Sequence, residues 1–339
     1  MNLKKINDEG RVEFNIADVN ACFLSTSSRT PGSRTRIWIE EKLENNQSKR
    51  FLFKDNSIGT VDFAEVFVSY LAKKVGVDCV NVYPATMVDE KGYKIDGILS
   101  ESYLNGKQNA ETIKAKDVIC GGYNCVCVYL DRLNFVKNAV VADDTQTKMN
   151  KMVLFDFLTF QLDRDARNIE FYSTKLDSGK KYISLAPMFD NSWVFFAQDV
   201  ITFNLIYDKI CESEELNSHS KEKANKEVFD WLKNNKNVSI SDMILIMEPT
   251  ERYNKSENIV NQICEKIRTN IELSQLFEKF KKVDFEKIRQ EILDDFNFDV
   301  GAEFIEVAKL IKDYQVHTLE LCLEKMRKQT KEKSQSFEF

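Results

Sequence analysis

The sequence predicts an α+β fold in two lobes: a β-rich N-lobe with one helix, then a mainly α-helical C-lobe. Three observations carry this reading. Strand-like runs surround a single helical pattern in the first hundred residues, helix-period patterns dominate from about residue 110, and one hairpin interrupts them at 169–185. The lobes are expected at 1–105 and 106–325, with a loose tail at 326–339.

Each element has its own signature. EFNIADV (13–19) is a weak strand. RTRIWIEE (34–41) and KRFLFKD (49–55) are stronger strands, and the polar KLENNQS between them makes a hairpin turn. In DFAEVFVSYLAKKVG (62–76), Ala64, Phe67, Val68, Leu71, Ala72 and Val75 share one helix face, with Asp62 as cap and Gly76 as stop. CVNVYPATMV (79–88) and YKIDGILSES (93–102) flank the turn DEKG, so the N-lobe reads β-β-β-α-β-β. In the C-lobe, IEFYSTKLDSGKKYISL (169–185) folds about DSG, and the polar run 212–227 reads as a solvated insert.

Composition excludes several functions. With a net charge of -6 and no basic stripe interleaved with aromatics, direct nucleic-acid binding is not expected. The sequence has no apolar run of 18 residues, so no membrane span is expected. No apolar segment follows the first lysines, so a secretory signal is not expected. The eight cysteines are then best read as reduced thiols in the cytoplasm. Only Cys125 and Cys127 lie close together, which is not a zinc spacing, and His219 and His317 lack any local motif for a nucleophilic triad.

Five polar residues remain, in an order that suits phosphoryl transfer. LFDFLTFQL (154–162) is an apolar helical run that ends in the charged knot DRDARN (163–168). Asp163 and Asn168 have the D-x-x-x-x-N spacing of a kinase catalytic loop, in which the aspartate takes the hydroxyl proton and the asparagine ligates magnesium. The hairpin after Asn168 returns the chain at Pro187-Met188-Phe189-Asp190, so Asp190 can complete a hard-oxygen magnesium site beside it. Lys54 ends the second strand of the first hairpin, where a kinase carries its phosphate-contacting lysine, and Glu65 in the next helix can pair with it. Singly, Lys54 also suits a solvated strand end and Glu65 a capping box with Asp62.

FLFKDNS, DFAEVFVSYLAKKVGV, QLDRDARNIEF and ISLAPMFDNS together resemble the HipA-like serine/threonine kinases of bacteria. The chain is similar to the short, cell-translocating kinase type that lacks the family's extra N-terminal domain. The resemblance implies ATP- and magnesium-dependent phosphorylation of a protein serine or threonine, with autophosphorylation. Catalysis would rest on Asp163, Lys54 and Glu65, and metal on Asn168 and Asp190. Nucleotide binding would use Lys54, the backbone of Ser27, Ser28 and Ser33, and Arg34 or Arg36, with adenine along Glu101, Ser102 and Tyr103. A regulatory phosphoserine is expected among Ser25, Ser27, Ser28 and Ser33. Partners would be the protein substrate and an antitoxin or other regulator. The chain departs from the family pattern at Asp165, where histidine is common, and in a phosphate loop whose one glycine is Gly32. A nucleotide-binding pseudokinase and a kinase with a non-protein acceptor are the alternative readings.

Overall fold

The computed structural model describes residues 6–18, 20–23, 36–42, 48–55, 61–107, 110–115, 139–161, 164, 168–175, 179–217, 220–234 and 256–336. The N-terminal part holds β1 (Val12–Asn15), β2 (Asn20–Phe23), β3 (Arg36–Lys42), β4 (Ser48–Asp55), α1 (Val61–Val75), β5 (Val82–Val88) and β6 (Lys94–Glu101). The six strands form one sheet in the order β1-β5-β6-β4-β3-β2, with β1 parallel to β5 and the other neighbours antiparallel. The stretch expected as one weak strand at 13–19 is broken by a 3-10 turn at Ile16–Asp18. Asn15 causes the break by accepting the Ala17 amide on its side chain at 2.9 Å, which competes with strand pairing.

Strand alternation sorts the β3–β4 hairpin into two faces. Ile37, Ile39, Phe51 and Phe53 are buried with Val12, Phe14, Ala85, Met87 and Leu99 in a small core of their own. Arg36 and Lys54 are direct cross-strand partners, and both reach Asp190.

Helix α1 buries the six apolar residues expected of it, and also Asp62 and Glu65. Two faces are buried because α1 lies between the sheet and the C-terminal helices, and its residues belong to the large core rather than to the sheet's. Asp62 is not the cap: it lies inside the first turn, where its carboxylate meets Arg11 at 3.1 Å. Gly76 does stop the helix, with φ +83 and its amide on the Ala72 carbonyl at 2.9 Å.

The C-terminal part holds β7 (Glu111–Lys114), β8 (Ala139–Val141), α2 (Thr145–Thr159), β9 (Glu170–Lys175), β10 (Lys181–Leu185), α3 (Val200–Leu216), α4 (Lys221–Asn234), α5 (Ser256–Thr269), α6 (Ile271–Lys282), α7 (Phe285–Phe296) and α8 (Ala302–Ser336). Its sheet has the order β7-β9-β10-β8, and β9–β10 is the expected hairpin. Among the described residues the run 212–227 is largely exposed, as expected, but it is not an insert: it is the end of α3, a turn and the start of α4. Lys209 and Asn217 bind Glu227 at 3.0 and 3.1 Å across the turn, and Ala224, Val228 and Leu232 bury the inner face of α4. Likewise α8 continues to Ser336, through most of the stretch expected as a loose tail. Among the described residues no helix is long and apolar enough to cross a membrane. The fold is α+β and two-lobed, a β-rich lobe with one helix over a mainly helical one, as in protein kinases.

Candidate active site

Helix α2 aims the candidate loop. Its run Leu154–Leu158 is buried, including Asp156, and it ends at Phe160 in the left-handed conformation with φ 53. There the chain turns back on the helix. Arg164 returns to Asp156 as a fork, Nε to Oδ2 at 3.1 Å and Nη2 to Oδ1 at 3.2 Å. The same guanidinium donates through Nη1 to the carbonyls of Phe189 at 2.6 Å and Asn168 at 3.3 Å, and through Nη2 to the Asn191 side chain. Arg164 is 1 % exposed, so these acceptors are its environment. Burial works against its charge, but Asp156 more than compensates and its pKa is raised.

The β9–β10 hairpin pairs Phe171 with Leu185 at its base, which returns the chain beside its own start. Residues 186–191 are then pinned on both sides. Ala186 donates to the Glu170 carbonyl at 2.9 Å, while Met188 exchanges backbone bonds with Asp78 and Val80 at 2.8 and 3.0 Å. Asn191 donates to Cys79 at 3.5 Å. Burial pushes the Cys79 thiol up to about 12, so this cysteine packs rather than reacts. Asp190 has φ 55, a left-handed conformation that aspartate tolerates better than most residues.

Lys54 reaches Asp190 from the other lobe. Its ammonium lies 2.9 and 3.3 Å from the Glu65 oxygens and 3.2 Å from Asp190 Oδ1. Lys54 is 2 % exposed and Glu65 fully buried, so the pair is neither a solvated strand end nor a capping box. Burial opposes the charge on Lys54, but Asp190 and Glu65 outweigh it and hold its pKa above the ordinary 10.5. Arg36 adds a second cation, 3.4 Å from Asp190 Oδ2, and Gln161 donates to the Asp190 carbonyl at 3.4 Å.

The link between the lobes is tied to the sheet. The Glu101 amide donates to Asn81 at 2.8 Å and the Ser102 amide to Arg50 at 2.9 Å. The Tyr103 hydroxyl donates to Glu170 at 2.5 Å, and its ring stacks on Phe189 at 6.4 Å, so Tyr103 turns toward the Asp190 segment. Of the residues expected at the site, Lys54 contacts both Glu65 and Asp190, Asn168 is held to the Asp190 segment through Arg164, and Glu101 ends β6 with Ser102 and Tyr103 following it toward β7. Ser25, Ser27, Ser28, Ser33, Arg34, Asp163 and Asp165 lie outside the described residues. Motif spacing alone does not single out Arg164 or Asn191. One signal was present: Asp156, a lone carboxylate between two phenylalanines in a core helix, requires a buried cation.

A two-lobed fold with a buried lysine–glutamate pair and an aspartate at the lobe junction defines a protein of kinase-like fold. Among solved structures, the proinflammatory kinase CtkA of Helicobacter pylori shares this fold, with a TM-score of 0.57 and 13% identity over 93% of this chain and 97% of that one. A HipA–HipB–operator DNA complex from Shewanella oneidensis aligns with a TM-score of 0.43 and 13% identity over 88% of this chain and 66% of that one. No family model matches the sequence, and no curated protein sequence matches it.

Proposed function

We propose that the chain is a HipA-like protein kinase that transfers the γ-phosphate of ATP to a serine or threonine hydroxyl of a protein, its own loop included. The observation that carries this reading is Lys54, a buried ammonium held between Glu65 and Asp190 at the junction of the lobes. Lys54 would contact the α- and β-phosphates, and Glu65 keeps it in place. Ser27, Ser28, Ser33 and Arg34 would add phosphate contacts, and adenine would lie along Glu101, Ser102 and Tyr103.

The donor set fits magnesium. Asp190 offers a carboxylate and Asn168 an amide oxygen, hard ligands of the kind that hold this ion through one or two side chains plus substrate phosphates. When bound, magnesium would neutralise charge on the phosphate oxygens. Asp163 would orient the acceptor hydroxyl and take its proton, while Arg164 keeps the loop on the Asp190 segment. Asp163→Ala and Asp190→Ala should each abolish transfer from labelled ATP while circular dichroism stays unchanged. Wild-type turnover in either variant contradicts the assignment.

A further inference from the structure

Asp190 holds a cation on each of its oxygens, and the two cations are differently built. Lys54 and Arg36 face each other across β3 and β4, so both stand on the sheet face above the cleft. The Lys54 side chain is 3 % exposed and fixed by Glu65 as well as Asp190. The Arg36 side chain is 47 % exposed and reaches Asp190 at 3.4 Å, near the limit of a hydrogen bond. An ion pair this long, with its arginine half-exposed although the Asp190 side chain is only 13 % exposed, holds the arginine weakly enough to be exchanged.

We propose that Arg36 is an exchangeable counter-ion. Without nucleotide it covers Asp190, and with a divalent cation and a nucleoside triphosphate in the cleft it moves onto the phosphate chain. This rests on the kinase reading above. The physical argument is competition. A divalent cation on Asp190 repels the guanidinium from the oxygen it occupies, while the arriving phosphates attract it. The planar fork of arginine matches phosphate oxygens better than an ammonium does, so Arg36 gains from the exchange while Lys54 keeps its bond to Glu65. Arg36 therefore acts against metal binding to the empty chain and in favour of nucleotide binding to the metal-loaded one.

That opposition of signs is the test, and it needs no turnover. Mn²⁺ binding to the nucleotide-free full chain is followed by electron paramagnetic resonance, and binding of a non-hydrolysable ATP analogue with Mg²⁺ by calorimetry. In Arg36→Ala, losing this long, competing ion pair should tighten Mn²⁺ binding about three-fold. Losing a hydrogen-bonded charge on phosphate should weaken analogue binding about ten-fold or more. Arg36→Lys, which keeps the charge and loses the fork, should bind Mn²⁺ as the wild type does and fall between the two for the analogue. Metal affinity unchanged, weakened or unmeasurable in both forms, or unchanged analogue affinity, overturns the proposal. A wild-type chain that binds no analogue overturns the kinase reading with it; binding by the wild type without the opposed shifts overturns this inference alone.

Discussion

Asp156 and Arg164 show how a single core position can set a site. A carboxylate buried among phenylalanines needs a cation, and the cation that answers it also gathers Asn168, Phe189 and Asn191. Arg164→Met leaves Asp156 buried and unpaired, which should cost about 3–5 kcal/mol in chemical denaturation. Adding Asp156→Leu should restore most of that stability, because an apolar pair can replace a buried ionic one. Phosphotransfer should stay lost in the double variant, since the loop and the Asp190 segment no longer share a donor. Lys54 gives a pH prediction of definite sign. Its folded-state pKa is raised above 10.5, so its stabilisation is complete below that pH and is lost as pH rises through the folded value. Alkaline unfolding curves should show this loss in the wild type and not in Lys54→Met/Glu65→Leu. At this scale the meeting of Lys54 with Glu65 and Asp190 is legible through order and element context. Arg164 was hidden because a run of charges usually marks a solvated loop, and only the tertiary fold shows that one member is buried.

At the scale of elements, the two hairpins do most of the positioning. The β3–β4 register sets Arg36 beside Lys54, and the β9–β10 hairpin brings Asp190 back to Asn168's end of the loop. Strand β6 must lie close against β4 for the first of these. A Cβ at Gly97 would stand 2.1 Å from the Lys54 carbonyl oxygen, so nothing larger than glycine fits. Gly97→Ala should therefore push the strands apart at Lys54, lowering stability by about 1–3 kcal/mol and weakening Mg-ATP binding measured by calorimetry. Elements with strong period, both hairpins and α1, were legible in the sequence. Those read wrongly were polar. The segment 212–227 resembles an insert because it holds only the first residue of a narrow stripe, Ala224, Val228 and Leu232 spaced four apart, which suffices when α3 lies alongside. Asp62 looks like a cap in the sequence because nothing local shows that Arg11, far away in sequence, will claim it.

At the scale of the molecule, α1 belongs to both lobes. Phe67 packs edge-on against Phe285, Phe304 and Phe195 at 5.0, 5.6 and 6.3 Å, and Tyr70 and Lys74 bind Asp295 and Glu291 on α7 at 2.6 and 2.7 Å. Aromatic pairs of this geometry each add about 0.5–1.5 kcal/mol beyond burial. Glu65 rides on that helix, so its bond to Lys54 is built into the core. In kinases whose lysine–glutamate pair is assembled by phosphorylation, the helix is free to swing; here the packing holds it in. The two-lobed outline was legible from element order, whereas this shared core was not, because helical periodicity shows that a face is buried but not against what. Such a preassembled site should transfer phosphate without prior activation. The most direct measurement is incubation of the purified chain with γ-labelled ATP and magnesium, beside Asp163→Ala, followed by phosphopeptide mapping. The account predicts label in the wild type alone, on Ser25, Ser27, Ser28 or Ser33. A wild-type chain that takes up no label and phosphorylates no added protein, even while Mg-ATP raises its melting temperature, would contradict it.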